Sequence, residues 1–553
     1  MDFKSDVIYQ AYIRSFKDTN GNGMGELQGV IEKIPYLAQL GIKMVWLNPF
    51  YPSPQNDNGY DISDYTAVDP IYGTMVDFEE LVKVGEENGI GIMIDLVLNH
   101  TSTEHEWFQK ALAGEKKYQD YYILREAPKG QEYPTNWQSK FGGPAWEQFG
   151  DTEQFYLSLF DKTQADLNWR NKEVREELAR IIRFWMDKGV KGFRLDVINL
   201  IGKDQELINS TGDIDQEKSL YTDRPIVHEY LKELNENSFG QDPEIVTVGE
   251  MSSTSIESCI AYTKPENNEL TMAFNFHHLK VDYQKGEKWT SIPFDFIELK
   301  QIINDWQLGL GENGGWNALF WNNHDQPRAL SRFGDDKNYR IETATSQAQI
   351  LHFLHGTPFI YQGEEIGMTD PYFAEISQYQ DVESHNAYEM MKEKGLSHEE
   401  IMGILQQKSR DNSRTPMQWT AEAHAGFTEG TPWIELATNY SKINVEEELA
   451  NGKIFTYYQK LLQLRKELEV IQTGSYEPMF LNHPTVWAYR RKNDKEELLT
   501  FSNFYGERIS LDLSDEVENK DWQYLLGNYK EHEFSLNLTL EPYEVVSFIY
   551  QNE

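Results

Sequence analysis

The chain has 553 residues and a mass of 64.6 kDa, so it is long enough for one large domain with smaller satellites. Its formal net charge of −39 excludes nucleic acid and anionic membrane surfaces as partners, because the electrostatic contribution to such binding would be repulsive. Aromatic residues make up 13% of the chain, and rings of this kind pack in cores and stack on sugars.

Cysteine usage and the lack of apolar targeting segments indicate where the protein resides. Cys259 is the single cysteine, which excludes an internal disulfide and a thiolate metal site and suits a reducing compartment. The amino terminus lacks the basic and apolar regions of a signal peptide, and no apolar run is long enough to span a bilayer. We therefore expect a cytoplasmic monomer that does not bind membranes.

Short runs of β-branched and aromatic residues alternate with longer amphipathic segments, a pattern typical of a parallel sheet with crossover helices. Polar or charged residues follow most of these runs, so they gather at one end of the strands. Eight such strands predict an α/β fold of the (β/α)8 TIM barrel type, with the active site at the carboxyl ends of the strands, and a doubly wound sheet is the alternative. The predicted strands are residues 7–13, 42–47, 91–98, 192–197, 245–250, 272–276, 317–321 and 358–362.

Three other parts of the chain complete the predicted organisation. Residues 173–188 have apolar side chains at helical spacing and are predicted to form a barrel helix. Residues 101–170 are too many for a structureless loop, so we predict a small domain inserted after the third strand. Short alternating strands predict an all-β domain at the end of the chain. The predicted domains are a catalytic barrel (1–100 and 171–475), an inserted B domain (101–170) and a C-terminal β-sandwich (476–553).

The strand at residues 192–197 places a cation and a carboxylate on one face of an apolar segment. Arg194 and Asp196 point to the same side, because successive side chains of a strand alternate between its faces. Buried charges are costly unless they are paired, so these residues are either a structural ion pair or part of an active site. Glu250 and Asp325 end later strands and favour an active site, since paired acids with separate roles perform glycoside hydrolysis.

Four segments together resemble, in order and spacing, the signature of the α-amylase family, glycoside hydrolase family 13. Four ordered segments are far more specific than one, and the resemblance covers nearly the whole chain. It implies a (β/α)8 barrel, an inserted B domain and a C-terminal β-sandwich. The segments are Asp95-Leu-Val-Leu-Asn-His100, Gly192-Phe-Arg-Leu-Asp196, Val248-Gly-Glu250 and Asn323-His-Asp325.

The resemblance also implies a role for each residue of the predicted site. Asp196 is expected to be the nucleophile, Glu250 the general acid and base, and Asp325 the stabiliser of the transition state. This assignment implies a glycosidase that retains the anomeric configuration. The residues expected to support these three acids are His100, Arg194 and His324.

A further segment, Asn58-Gly-Tyr-Asp61, resembles the family segment that closes the sugar pocket. Tyr60 is expected to stack on the terminal glucose, and Asp61 is expected to pair with an arginine behind it. The partner arginine is expected to be Arg410, with Arg414 as the second candidate. A pocket closed at one end accepts a chain end, so the resemblance implies an exo-acting α-glucosidase.

Oligo-1,6-glucosidases, dextran glucosidases and trehalose-6-phosphate hydrolases share these signatures within the family. Four other segments look most like those of the trehalose-6-phosphate hydrolases, which implies hydrolysis of trehalose 6-phosphate to glucose and glucose 6-phosphate. One alternative is an oligo-1,6-glucosidase or dextran glucosidase that acts on isomalto-oligosaccharides. Another is a non-catalytic binding subunit, although such proteins are expected to lack the catalytic carboxylates. The four segments are residues 134–143, 249–254, 277–283 together with 286–289, and 409–416.

A phosphorylated substrate would need a local cationic patch, because the protein as a whole would repel it. The loop after the predicted sixth strand carries Lys280, Lys285 and Lys288, where a leaving group is expected to lie. The alternative is an ordinary solvated loop in which Asp282 and Glu287 neutralise much of this charge. Lysine can bind phosphate as a point charge, so we predict a phosphate site here.

Residues 18–26 space candidate oxygen ligands two residues apart, with glycines between them, as calcium loops do. The segment resembles the structural calcium site of related glucosidases, and a plain turn that binds nothing is the alternative. No catalytic metal or other cofactor is expected. The candidate Ca²⁺ ligands are Asp18, Asn20, Asn22, Met24 and Glu26.

Overall fold

The computed structural model describes residues 1–552, and its central feature is a parallel sheet of eight strands. From β1 to β6 each strand lies beside the next, and β8 lies between β1 and β7. This order is that of a nearly closed (β/α)8 barrel, so the predicted fold is confirmed and the doubly wound alternative is wrong. The strands are β1 (Ile8–Ala11), β2 (Met44–Leu47), β3 (Gly91–Val97), β4 (Gly192–Asp196), β5 (Val246–Glu250), β6 (Met272–Phe274), β7 (Ala318–Leu319) and β8 (Thr357–Tyr361).

Seven of the eight strands are shorter than the sequence predicts, and β1 and β7 lose the most residues. The predicted strand 7–13 ends early because Ile13–Ser15 forms a 3₁₀ helix. The predicted strand 317–321 is reduced to Ala318–Leu319, since only these two residues pair with β8. Apolar runs therefore locate the strands, but they extend past the point at which ladder hydrogen bonds end.

Helices follow most of the barrel strands. The predicted helix 173–188 is observed as Lys172–Asp187, and the side chain of Asn171 caps it by accepting a hydrogen bond from the Glu173 N–H group. The α-helices are Leu27–Leu40, Met75–Glu87, Glu106–Leu112, Lys116–Gln119, Lys172–Asp187, Ile214–Ser219, Ile226–Asn237, Ile256–Thr263, Phe296–Glu312, Ala329–Phe333, Arg340–His352, Val382–Glu393, His398–Lys408, Val445–Asn451, Ile454–Glu467 and Glu469–Thr473. The 3₁₀ helices are Ile13–Ser15, Ile198–Leu200, Phe239–Gln241, Pro265–Asn267, His277–Lys280, Glu364–Ile366, Ile376–Gln378, Arg410–Ser413 and Ala423–Gly426.

Residues 101–170 contain two helices and two small antiparallel sheets rather than a long loop. Their apolar core is centred on Trp137, Trp146 and Leu157, and Val197 and Tyr221 from the barrel side pack into the same cluster. The exact limits of the predicted B domain stay a prediction. The strands of this region are His100–Ser102 paired with Gln164–Asp166, and Leu124–Glu126, Trp146–Gln148 and Gln154–Leu157 in a three-stranded sheet.

The end of the chain forms two antiparallel sheets that share one apolar core. Phe501 and Phe548 belong to the larger sheet and Leu511 and Leu538 to the smaller one, and all four lie in the same buried cluster. Two sheets packed in this way form a small β-sandwich. The larger sheet contains Ser475–Met479, Val486–Lys492, Glu496–Asn503, Val545–Gln551 and Gln523–Gly527, and the smaller one Ile509–Asp512 and Asn537–Leu540.

By its internal contacts the chain divides into two compact units. The first comprises Met1–Val45, Asn88–Ile90 and the chain from His277 onward, and the second comprises Trp46–Glu87 and Gly91–Phe276. Candidate site residues occur in both units. Within residues 1–552, no helix has the length and apolarity needed to cross a membrane.

Candidate active site

The guanidinium of Arg194 is the centre of the site in the second unit. It is buried, with 3% of its side chain exposed. Nη1 lies 2.8 Å from Asp95 Oδ1 and 2.6 Å from Asp196 Oδ1, and Nη2 lies 2.5 Å from Glu250 Oε2. One cation is therefore shared by three carboxyl groups, which include the predicted nucleophile and the predicted acid.

Strand register brings these groups together. Arg194 on β4 is level with Asp95 on β3 and with Val248 on β5, and Glu250 lies two residues beyond Val248 on the same face. Residues level with each other on neighbouring strands have their side chains in contact. Asp95 belongs to a signature segment, but no role is predicted for it from the sequence. A buried arginine needs a counter-charge, and this need is the signal that identifies Asp95.

Val197, the residue after the predicted nucleophile, has a left-handed backbone with φ 36° and ψ 39°. A β-branched residue rarely adopts this conformation, which costs about 1–3 kcal/mol and is found mainly at functional sites. The turn directs the Val197 N–H group to Glu250 Oε2 at 3.2 Å. The backbone after Asp196 thus helps to hold the predicted acid.

Burial and mutual repulsion change the ionisation of this cluster. Burial raises the pKa of Asp196, the charge of Arg194 opposes the rise, and Glu250 and Asp95 add to it. Burial also raises the pKa of Asp95 to about 6, against the opposing effect of Arg194. Asp196 and Asp95 therefore hold a proton to higher pH than an ordinary aspartate does.

Tyr60 and its neighbours form the wall beside Asp95. The Tyr60 hydroxyl donates to Asp95 Oδ2 at 2.9 Å and accepts from Asn48 Nδ2 at 3.0 Å. The Arg194 guanidinium lies over the rings of Trp46 and Tyr60, at 5.3 and 5.8 Å from their centroids. The ring of Tyr60 is thereby fixed, as its predicted role of stacking on glucose requires.

His100 is a neutral support in this unit. Burial lowers the pKa of His100 to about 4, although Asp166 acts in the opposite direction. Its Nε2 lies 3.2 Å from the carbonyl oxygen of Tyr60 and 3.2 Å from Gln164 Nε2, and its Nδ1 lies 3.2 Å from Asn99 Nδ2. A neutral imidazole held on both sides can orient a sugar hydroxyl without adding charge.

Asp61 is completely buried, and its own loop supplies its hydrogen bonds. Its carboxylate accepts from Ser53 Oγ at 2.8 Å and from the N–H groups of Asn56 and Asp57 at 2.9 and 3.1 Å. These bonds fix the loop that carries Tyr60. The predicted pair of Asp61 with Arg410 stays a prediction.

In the first unit, Asp325 lies within a second group of charges. Arg414 Nη2 is 2.5 Å from Asp325 Oδ1, Arg410 Nη1 is 3.5 Å from the same atom, and His324 Nε2 is 3.2 Å from Oδ2. Gln10 Nε2 lies 2.9 Å from His324 Nδ1. Arg414 and His324 thus position the predicted stabiliser directly.

Two carboxylates that are not predicted from the sequence bind Arg410. Asp381 is buried and lies 2.6 Å from Nη2, and Glu383 lies 3.3 Å from Nε. Burial raises the pKa of Asp381, but Arg410 and Arg414 outweigh it and bring the pKa below its ordinary value. Nothing in the local sequence of residues 381–383 distinguishes them from an ordinary helix start, so only the tertiary structure identifies them.

The three predicted phosphate lysines lie in different surroundings. Lys280 and Lys285 are exposed, whereas Lys288 Nζ is 2.8 Å from Glu383 Oε2 and lies over the Trp289 ring at 4.6 Å. Glu287 is 4.0 Å from Lys394. The positive charge of Lys288 is therefore paired with Glu383 and not simply exposed to solvent.

Asp282, which the alternative interpretation used to neutralise the loop, points inward. It lies 2.6 Å from Arg332 Nη2 and 2.6 Å from Lys408 Nζ. Burial raises the pKa of Asp282, but these two cations outweigh it and lower the pKa below its ordinary value. Asp282 therefore anchors the loop, and the interpretation that it neutralises the loop lysines is wrong.

The candidate calcium loop is closed by hydrogen bonds of its own. The Asp18 carboxylate accepts from the N–H groups of Asn20, Gly21 and Gly23 and from Thr428 Oγ1. These four bonds use all the acceptor positions of a carboxylate. A bound Ca²⁺ would have to replace at least one of them, so this donor arrangement does not fit the ion as it stands. Asn22 accepts from the Met24 N–H group, and Glu26 accepts from Thr19 and Asn20.

The fold and the acid cluster define a glycoside hydrolase of the (β/α)8 class. A family model for the alpha amylase catalytic domain matches residues 10–474, and one for the alpha-amylase SusG C-terminal domain matches residues 486–546. The chain therefore belongs to the α-amylase family, and this predicted resemblance is confirmed.

Individual relatives resemble the chain over its whole length. Trehalose-6-phosphate hydrolase of Bacillus subtilis is 51% identical, covering 99% of this chain and 98% of the relative. The oligo-1,6-glucosidase of Bacillus cereus is 44% identical, covering 99% of both chains. The crystal structure of Bacillus licheniformis trehalose-6-phosphate hydrolase matches with a TM-score of 0.96 and 49% identity over 100% of both chains.

The raised pKa of Asp196 leads to a prediction about pH dependence. Its ionised form is needed for attack, so kcat/KM should fall as the pH decreases through a value above the ordinary aspartate pKa of about 3.9. Asp95→Asn removes a charge that raises this pKa, so the acid limb should move to lower pH. A neutral aryl α-glucoside is the appropriate substrate, because a phosphate would titrate in the same range. The exposed variant Asp151→Asn should leave the limb in place, and an unmoved limb in Asp95→Asn would contradict the prediction.

A calorimetric comparison tests the calcium loop. If Ca²⁺ displaces the Thr428 hydroxyl and binds, Ca²⁺ at saturating concentration should raise the Tm of chelator-treated protein by on the order of a few °C. Asp18→Asn should abolish the increase. Equal Tm values with Ca²⁺ and with chelator would leave the loop as a plain turn.

Proposed function

We propose that this protein is a retaining, exo-acting α-glucosidase that hydrolyses trehalose 6-phosphate to glucose and glucose 6-phosphate. The observation that carries the hydrolase part is the contact of Asp196 and Glu250 with one buried guanidinium. The substrate part is supported by 51% identity to the Bacillus subtilis trehalose-6-phosphate hydrolase over nearly the full length of both chains.

Hydrolysis proceeds in two steps in this proposal. Glu250 protonates the glycosidic oxygen while a carboxylate oxygen of Asp196 attacks the anomeric carbon, so the glycosidic bond breaks and a glycosyl ester forms. Glu250 then removes a proton from water, which attacks the ester and releases α-glucose. Retaining enzymes hold these two carboxyl groups about 5 to 5.5 Å apart. Contact with adjacent nitrogens of Arg194 favours such a short separation.

The proposed reaction requires Glu250 to carry a proton and Asp196 to be ionised when the substrate is bound. Burial favours a proton on Asp196 in the free protein. The positive charge that develops at the anomeric carbon favours ionised Asp196 instead, and so does its 2.6 Å contact with Arg194. The substrate thus helps to place the proton where the reaction needs it.

The remaining site residues support binding of a chain end in this proposal. The family pattern assigns Tyr60 to stacking on the glucose ring, Asp61 and Arg410 to closing the pocket, and Asp325 to stabilising the transition state. The fixed ring of Tyr60 and the buried loop of Asp61 support the first assignment. His100 and His324 are proposed to bind sugar hydroxyls.

The phosphate is proposed to bind to the loop after β6 through Lys280, Lys285 and Lys288. Asp282 is the carboxylate nearest to these lysines in the sequence. Its ion pairs with Arg332 and Lys408 support the assignment, because they turn it away from the lysines of the loop. We also propose a cytoplasmic location, since a phosphorylated sugar is an intracellular substrate and the buried Cys259 forms no disulfide. The monomeric state stays a prediction.

A substrate comparison on the unmodified protein tests the proposal. We expect kcat/KM for trehalose 6-phosphate to exceed that for trehalose by about 10- to 100-fold, because a charge-assisted contact contributes about 1.5–3 kcal/mol. The oligo-1,6-glucosidase alternative is supported by 44% identity to the Bacillus cereus enzyme. A preference for isomaltose over trehalose 6-phosphate would establish that alternative.

The nucleophile assignment predicts the effect of Asp196→Asn. An amide cannot form the glycosyl ester, so kcat should fall by about 10³-fold or more. The similar shape of asparagine should leave the Tm nearly unchanged, which differential scanning calorimetry measures. Appreciable turnover by a folded variant would refute the assignment.

The phosphate assignment predicts the effect of Lys285→Met combined with Lys288→Met. The KM for trehalose 6-phosphate should rise about tenfold, whereas the KM for a neutral aryl glucoside should change by less than about twofold. Lys392→Met, which removes an exposed cation from the helix Val382–Glu393, is the matched control. Equal increases for both substrates would exclude these lysines as the phosphate site.

A further inference from the structure

Glu383 lies among the cations of the proposed phosphate site and is itself an anion. One carboxylate oxygen, Oε2, lies 2.8 Å from Lys288 Nζ and 3.3 Å from Arg410 Nε. Two cations from different segments thus share a single oxygen. A carboxylate in this position occupies the contact that a phosphate oxygen would make with the same ammonium group.

The ion pairs around Lys288 hold no excess positive charge. Three cations are linked here to four carboxylates, so a phosphate that binds Lys288 has to take it from an existing partner. Nearby, Arg332 and Lys408 bind Asp282. The three cations are Lys288, Arg410 and Arg414, and the four carboxylates are Asp325, Asp381, Glu383 and Asp411.

Most of these carboxylates are too deeply buried to move. The side chain of Asp381 is 0% exposed and that of Asp282 is 7% exposed, so separating either from its cations would leave a buried charge unpaired. The Glu383 side chain is 28% exposed and that of Lys288 is 18% exposed. Asp325 is 32% exposed, but its cations Arg410 and Arg414 are only 11% and 2% exposed. Lys288 with Glu383 is therefore the pair whose cation a solvent-borne anion can reach.

The position of Glu383 in its helix also permits such a movement. It is the second residue of the helix Val382–Glu393, and that helix begins beside Asp381, which stays bound to Arg410. A change of rotamer moves the Glu383 carboxylate into water without altering the backbone. Arg410 keeps its bonds to Asp381 after the change.

We propose that Glu383 is a specificity-determining residue that neutralises Lys288 in the free enzyme and yields this lysine to the phosphate of the substrate. The inference rests on the proposed phosphate site and names one more member of it. A phosphate carries about −1.5 to −2 charges at neutral pH, so it competes well with a singly charged carboxylate for one ammonium group. A neutral sugar leaves the pair of Glu383 with Lys288 intact.

Product inhibition tests the proposal. In Glu383→Gln the pair no longer has to be broken, so the Ki of glucose 6-phosphate should fall by about two- to fivefold, as expected for a partly exposed ion pair. The Ki of glucose 6-phosphate is compared with the Ki of glucose in the same variant, because loss of the Glu383 contact with Arg410 would affect both inhibitors. Glu389→Gln alters an exposed carboxylate on the same helix and should have no effect on either inhibitor.

A second background separates displacement from simple repulsion between Glu383 and the phosphate. In Lys288→Met the gain from Glu383→Gln should disappear, because no pair remains to be broken. A gain of the same size in that background, or an unchanged or higher Ki in Glu383→Gln, would overturn the inference. If the unmodified protein prefers trehalose 6-phosphate while Glu383→Gln fails in this way, the proposed function stands. A lack of that preference would instead reject the phosphate site itself.

Discussion

The contact of one buried guanidinium with three carboxyl groups constrains the rest of the site. Arg194 is held by strand register between Asp95 on β3 and Glu250 on β5, so the charges meet wherever the barrel forms. Their negative charge exceeds that of the single cation, and burial prevents water from compensating for the difference. The pKa values of Asp196 and Asp95 are raised as a result.

The charges in the first unit are more evenly paired. Arg410 and Arg414 are matched by Asp325, Asp381 and their neighbours, so each charge has a partner of opposite sign. A cation that is already paired has little affinity for a further anion. Recognition of a charged substrate there depends on replacing a partner, and Lys288, paired with Glu383, is the most exposed of these cations. The two groups of charges have different roles. The cluster around Arg194 raises the pKa of its aspartates, and the group around Arg410 discriminates between ligands.

Much of this arrangement could be predicted from the sequence. The barrel strands are apolar runs with local signals, and Asp196, Glu250 and Asp325 belong to ordered segments whose spacing is specific. The partners of charged side chains could not be predicted in the same way. Whether Asp282 faces the lysines of its own loop or turns inward to Arg332 is decided by packing between distant segments. Glu383 is likewise an ordinary helical residue until the fold brings Lys288 beside it.

The left-handed backbone at Val197 links catalysis to folding. The Val197 side chain packs in the apolar cluster around Trp137 and Trp146, and its N–H group contacts Glu250. Packing of the side chain thus maintains the unfavourable backbone conformation that helps to hold Glu250. Glycine would adopt this conformation without strain but would leave a gap among the aromatic side chains. Neither valine nor glycine therefore satisfies both requirements at this position. Holding the acid costs backbone strain here, so a more stable enzyme is better sought at positions that do not contact Glu250.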